Sequence, residues 1–259
     1  MSAQPDVGVG DSYVSAEAIV DLEAESLHLA RTLNQPRVHT QGAAGILSDL
    51  APSTVWVYDD VDMDALLGEI ADRVPQPEVM VSVHAERVAA ALRRHGWMST
   101  DSVDRLSCEL SPWTHRGASS NRALIRSVAL ADLPKLRALH VVSFDDEDSV
   151  DYLPDSLLDI ADLRMFVATA PADAQTLLGA VGVRLRHRGA LVFGLATLPE
   201  ARRSGIATAL VSHSLAWAAE HGAPFALADV DLPVPSFWAA LGFTTTSRWL
   251  RFSQADPSR

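Results

Sequence analysis

The chain has 259 residues, room for one large domain or two small ones, and 48% hydrophobic residues, enough to bury at least one full core, so disorder throughout is excluded. Thirty-three acidic and 21 basic side chains give a formal net charge of −12, which argues against a nucleic-acid coat or an anionic-membrane binder, because both rest on basic patches. A single cysteine, Cys108, forms no internal disulfide and completes no Cys-based zinc pattern, and no run approaches the ~18–20 apolar residues of a membrane span, so a reducing bacterial cytoplasm is the expected home.

Lys135 is the only lysine among the basic residues, a bias that reads as a GC-rich coding genome. The first dozen residues, rich in Gly, Ser and Asp, read as a tail with no leader pattern. From Ser15 a helix is expected, ended by Asn34 and Pro36. Thr54–Tyr58 is a β-branched and aromatic run, hence a strand. A helix with acidic residues in its first turn follows over Asp59–Val74. Strand Glu78–Val83 then leads to helix Ala85–His95, stopped by Gly96 as a left-handed cap, and strand Val103–Leu110 closes this half. Residues 111–121 collect Pro, Gly, Ser and His without periodicity and read as a linker.

Beyond the linker the pattern restarts. Ala123–Val128 is a strand; Leu130–Phe144 is a helix with Pro134 in its first turn and Leu133, Leu136 and Leu139 on one side. An acidic run follows, and then three consecutive antiparallel strands, Leu163–Ala170, Thr176–Arg186 and Ala190–Leu198, the last two joined at His187–Gly189. A Gly-containing loop opens a long helix that ends near Glu220 and Gly222. Strand Phe225–Asp231, a short helix at Pro235–Leu241 and strand Ser247–Phe252 complete the chain. The fold class is therefore α/β (α+β), a mixed, mostly antiparallel sheet flanked by helices. Both halves end with strand, helix, Gly-aromatic (Gly96–Trp97, Gly242–Phe243) and a returning strand, so they read as diverged copies of one unit. The expected division is a smaller module at 13–110, a linker at 111–121 and the main domain at 122–255.

The chemistry-bearing stretch is Leu195–Leu210. A strand ends at Pro199, and a loop with Arg202, Arg203, Ser204 and Gly205 opens directly into a helix. A helix start offers unpaired N–H groups and about half a positive charge, which suits a diphosphate. Gly205 lets backbone approach a ligand closely, Ala207 and Thr208 keep the first turn open, and the two arginines attract anions. An ordinary strand–loop–helix with a solvated Arg pair accounts for the same residues. A Walker loop is excluded, since neither loop nor helix start holds a lysine.

Arg202, Gly205 and Ala207 occupy the Arg/Gln-x-x-Gly-x-Gly/Ala positions of the GNAT superfamily of acyl-CoA-dependent N-acyltransferases, which residues 122–253 resemble. Leu195, Ala196, Pro199 and Glu200 also match, as do Gly242 and Phe243 near the end. The resemblance implies a GNAT-type sheet, with a smaller, degenerate GNAT-like module before it, and transfer of an acetyl or short acyl group from CoA to a primary amine. It implies acetyl-CoA as co-substrate, held by Leu195, Ala196, Thr197 and Leu198 along the strand and by Arg202, Arg203, Ser204, Gly205, Ile206, Ala207 and Thr208 at the loop and helix start. The acceptor is a small molecule or peptide amine, with monomer or homodimer left open. A non-catalytic acyl-CoA-binding protein is the alternative, because the family tyrosine that protonates the leaving thiolate is here Trp238, and strand Leu191–Leu198 carries no carboxylate. Asp229 and Asp231 share one face of their strand and are the candidate bases; Asp231 also suits a helix cap.

Other features carry less. Asp145–Asp148, Asp151, Asp155 and Asp159 could attract a cationic acceptor, or form a solvated surface. Arg184, Arg186 and Arg188 alternate along a strand and read as its solvated face. His140, His187, His213 and His221 lack metal-ligand spacing, so no metal is assigned. Trp56, Trp97 and Trp113 read as core or interface aromatics.

Overall fold

A computed structural model describes residues 37–40, 43–46, 54–57, 78–82, 86–110, 123–145, 153, 155–186, 189–230 and 234–254. The strands are β1 (Arg37–Thr40), β2 (Ala43–Ile46), β3 (Thr54–Val57), β4 (Glu78–Ser82), β5 (Trp97–Glu109), β6 (Leu124–Ser127), β7 (Leu163–Ala170), β8 (Asp173–Arg186), β9 (Gly189–Thr197), β10 (Phe225–Val230) and β11 (Thr244–Gln254). The helices are α1 (Glu86–Arg94), α2 (Leu133–Phe144), α3 (Ile206–Glu220) and α4 (Pro235–Ala240). The helices expected from Ser15 and over Asp59–Val74, and the linker 111–121, lie outside the described residues. β1 and β2 were not anticipated: RVHT and AAGI offer only four residues each, without apolar alternation.

Among the described residues the strands form one sheet in the order β1-β2-β3-β4-β11-β5-β10-β9-β8-β7-β6. Only β3–β4 and β9–β10 run parallel, so the sheet is mixed and mostly antiparallel. The sequence pattern predicts Val103–Leu110 as the closing strand of the first half. In the structure it is the later part of β5, which begins at Trp97 and sits between β10 and β11 of the second half. β11 in turn lies between β5 and β4 of the first half. Each half thus lends its last strand to the other, and the pairing types read the same outward from the β5–β11 seam in both directions. The two seam strands also enter alike, through Gly96 at φ +81° and Gly242 at φ +89°.

Charged pairs lie directly opposite one another along this seam. Arg105 faces Asp229 across β5–β10, while Asp104 faces Arg248 and Asp101 faces Arg251 across β5–β11. Arg105 Nε and Nη2 donate to Asp229 Oδ1 and Oδ2 at 2.8 and 3.0 Å, and the guanidinium sits 5.3 Å from the Trp249 ring centroid. The outer pairs are solvated and contribute little to stability. Arg105 is only 5% exposed, and Asp229 is one counter-charge for its guanidinium.

The second half is layered by strand alternation. Met165 and Val167 of β7 face α2 and join Leu133, Leu136 and Leu139; Phe166 and Ala168 face α3 and join Ile206, Leu210, Val211 and Leu215. With both faces covered, β7–β9 read as near-continuous apolar runs. The start of α2 is fixed by Asp132, which accepts two hydrogen bonds from Arg126 of β6 (2.6 and 2.9 Å) and one from the Ala129 amide. Arg126 foremost holds that carboxyl below its ordinary range. Arg184 departs from the solvated reading: it is 2% exposed and pairs with Asp162 at 3.3 Å. Arg188 lies outside the described residues, as does the Arg186 side chain.

Because β5 separates β10 from β11, residues 122–259 cannot close their sheet alone. Expressed as a fragment they should be unfolded or associated, and co-expression with residues 1–121 should yield a soluble complex with cooperative melting. A monomeric, cooperatively melting 122–259 fragment would contradict the shared seam.

Candidate active site

The site begins where the sheet is interrupted. β9 pairs with β10 at Ala190–Ala226, Leu191–Leu227 and Val192–Ala228, and the pairing stops there. On its other side β9 stays with β8, but the register shifts between Ala180/Ala196 and Gly182/Phe193, so Gly194 and Leu195 face a single β8 residue. Such a bulge bends the strand. Gly194 takes φ +58°, a conformation that costs any residue with a Cβ about 1–2 kcal/mol. Beyond Val192 the β10-facing edge of Phe193–Thr197 is therefore unpaired with any described strand. The sequence marked Leu195–Leu198 as ligand-facing but missed the bulge, whose signal was an isolated glycine inside a strand.

At the end of β9 the amide of Leu198 donates to Leu178 O at 3.0 Å, and Pro199–Ala201 make one 3₁₀ turn. Arg203 is left-handed at φ +60° and Gly205 at φ +83°. Gly205 is the N-cap of α3, and no side chain caps that helix. The first amides of α3 consequently lack an intrahelical or capping acceptor. Ser204, the nearest candidate cap, instead donates its hydroxyl back to Ala201 O. Arg202 donates to Thr197 O and Ser143 O, both at 3.3 Å, tying the loop to the end of β9 and the last turn of α2. Arg203 is exposed and hydrogen-bonds to no described residue, free to meet an anion. Residues 195–198 and 202–208 thus lie along one path, from an open strand edge to an uncapped helix start.

The catalytic candidates separate. Asp229 sits one residue past the last β9–β10 pair, but Arg105 engages both of its oxygens. Asp231 lies outside the described residues. Trp238 is 6% exposed and packs edge-on between Phe237 and Phe243, with ring centroids 5.1 and 5.0 Å away, in the core under α3. Of the acidic run, Asp146–Asp148 and Asp151 lie outside the described residues, while Asp145, Asp155 and Asp159 are exposed, with Asp155 accepting from Arg137 at 2.6 Å. Trp97 is a core residue as expected; Trp113 and the Trp56 side chain are not described. Among the described residues no group of three or more His, Cys, Asp or Glu could hold a metal, and no helix is long and apolar enough to cross a membrane.

One residue was passed over. His140 continues the apolar stripe Leu133, Leu136, Leu139 of α2 and is 4% exposed. Its Nε2 is buried and hydrogen-bonds to no described residue, and the ring lies against Gly194: a Cβ built there would come within 3.2 Å of its Cε1. Leaving such a group unpaired costs about 1–3 kcal/mol. Burial pushes the imidazole down from its ordinary 6.5 to about 4. The signal in the sequence was a histidine at a buried helical position.

Residues 133–243 match the family described as "Acetyltransferase (GNAT) family". No curated protein matches the chain. Among solved structures, a GCN5-related N-acetyltransferase from Kribbella flavida superposes at TM-score 0.69 and 16% identity, covering 92% of this chain and 96% of that one. Another from Sphaerobacter thermophilus gives 0.64 at 14% identity, covering 82% and 75%. A tandem GNAT protein from the clavulanic acid biosynthesis pathway gives 0.60 at 16% identity, covering 84% and 79%. The fold is that of the GNAT acetyltransferases.

The neutral, buried His140 sets a pH dependence. Unfolded histidine takes up its proton near 6.5 and the folded ring only near 4, so as pH falls through that window the unfolded state gains protons first and stability is lost. The loss amounts to something on the order of 3 kcal/mol, complete near the lower value and absent above the upper one. Denaturant titrations at pH 7.5, 6, 5 and 4 (roughly the span of the two histidine states) should show this component in the wild type and not in His140→Leu. Identical pH profiles for the two proteins would contradict the buried, neutral ring.

Proposed function

We propose that the chain is an acyl-CoA-dependent N-acyltransferase, moving an acetyl or short acyl group to a primary amine of a small molecule or peptide. The observation that carries this is the unpaired edge of β9 beyond Val192, leading without interruption to the uncapped start of α3. The gap-facing amides and carbonyls of Phe193–Thr197 suit an extended, amide-bearing pantetheine arm, bound as an added strand. The amides of Arg203–Thr208, the α3 dipole and the free Arg203 suit its diphosphate. Acyl-CoA supplies an activated thioester, so the chain's own task is to align an amine with the carbonyl carbon, stabilise the developing oxyanion with a strand amide, and dispose of a proton.

With Asp229 held by Arg105, Asp231 is the proposed proton acceptor, directly or through water. The amine is proposed to be cationic in its resting form, drawn by a chain of formal charge −12 in which Asp145 and Asp159 are exposed on the α2 side. Residues 13–110 are proposed as a diverged, non-binding copy of the 122–255 unit, on the mirrored pairing about the seam. A second reading, a non-catalytic acyl-CoA binder, is favoured by the engagement of Asp229 and the burial of Trp238 in the core.

Calorimetry should find one acetyl-CoA per chain. Gly205→Glu sets a carboxylate at the diphosphate position and a side chain at φ +83°, and should weaken binding roughly a hundredfold, about 2.7 kcal/mol, with the melting temperature as a control on folding. Thiol release from acetyl-CoA with a broad amine panel separates the two readings. Steady release that Gly205→Glu abolishes excludes the passive binder; tight binding without release on every amine excludes transfer. No binding at all overturns both.

A further inference from the structure

The unpaired imidazole at the bulge has no structural purpose that an apolar side chain would not serve better. His140 Nε2 is buried and unbonded, and the ring faces Gly194, where β9 leaves β10. One helical turn on, Ser143 holds a second buried, unbonded polar atom, its Oγ, and its carbonyl accepts from Arg202 of the loop. Residues three apart share a helix face, and on this face of α2 the imidazole lies against Gly194. The Phe144 ring, 5.3 Å from the imidazole, lies on the same turn.

We propose that His140 is a catalytic residue of the acyl-transfer reaction, its Nε2–H donating a hydrogen bond to the carbonyl oxygen of the acyl thioester bound at the Gly194 bulge. This rests on the acyl-CoA reading above and adds to it a side-chain donor from the opposite layer. Because desolvation keeps the ring neutral at ordinary pH, it is poorly suited to carry the amine's proton and well suited to polarise a carbonyl as an uncharged donor. No described residue bonds Nε2, so the arriving oxygen selects the Nε2–H tautomer. In the step, the lone pair of the amine nitrogen forms the bond to the carbonyl carbon and the π pair of the carbonyl moves onto the oxygen, where Nε2–H holds it. Collapse returns that pair to the carbonyl and breaks the C–S bond, whose bonding pair leaves on sulfur as the thiolate. The proton lost by nitrogen goes to Asp231 or water, and the imidazole keeps its own.

The test uses the full chain with acetyl-CoA carrying a ¹³C-labelled carbonyl, followed by isotope-edited infrared spectroscopy, with calorimetry in parallel. The wild type should lower the carbonyl stretch relative to free acetyl-CoA. His140→Leu, which fits the apolar stripe, should return it toward the free value with the dissociation constant changed less than about threefold, within the context scatter of a single neutral hydrogen bond. His140→Gln, which keeps a neutral N–H donor, should restore part of the shift. An unshifted carbonyl in the wild type, or a shift that survives His140→Leu, overturns the proposal while leaving acyl-CoA binding intact. Gln and Leu behaving alike, both without the shift, overturns the neutral-donor role. Failure of acetyl-CoA to bind the wild type is read by calorimetry alone and removes the functional reading beneath it.

Discussion

The interruption of the β9–β10 ladder is the constraint from which the site follows. A parallel pair normally continues until one strand ends, yet here it stops at Val192 and Ala228 while β9 runs on to Thr197. The cause is local: two residues of β9, Gly194 and Leu195, oppose one of β8, and only glycine enters the left-handed conformation the bulge needs without strain. Bending β9 away leaves backbone donors and acceptors facing a gap rather than a neighbour, and a sheet interior that leaves such groups open invites an extended ligand. The end of β9 leads to the loop whose left-handed Gly205 starts α3.

Around that gap the charges are distributed by structural need. Although the chain is strongly acidic, Arg202 and Arg203 stand at the anion-facing loop. Arg105 and Arg184, by contrast, are consumed in the interior by Asp229 and Asp162. The Arg105–Asp229 pair ties β10, the strand beside the gap, to β5, a strand of the first half. Arg105 engages both oxygens of Asp229, which makes Asp229 a counter-ion across the shared seam. The first half is in this sense part of the second half's sheet.

The sequence carried most of the local structure and little of what depends on long-range pairing. β7, β8, β9, α2 and α3 were legible because both faces of that sheet are covered and the apolar runs are long. The loop before α3 was legible because its residue types are dictated by backbone chemistry within seven positions, Arg202–Thr208. The exchange of β5 and β11 was not, since the periodicity of a strand is the same beside either neighbour. Arg184 was misread for a related reason: alternation predicts which face a side chain takes, not whether α2 or α3 covers that face. His140 was visible as a histidine on a buried stripe, but its importance lies in an unsatisfied nitrogen against Gly194, and that contact spans 54 positions of chain from α2 to β9.

The open edge of β9 and the first turn of α3 are proposed to form one ligand-binding path. Hydrogen exchange of the full chain with and without acetyl-CoA tests it directly, because exchange reports the amides themselves. Slowed exchange at the β10-facing amides of Phe193–Thr197 and at those of Arg203–Thr208, together and on the same ligand titration, is the predicted result. Protection confined to other strands, with these two segments unchanged at saturating acetyl-CoA, would contradict it.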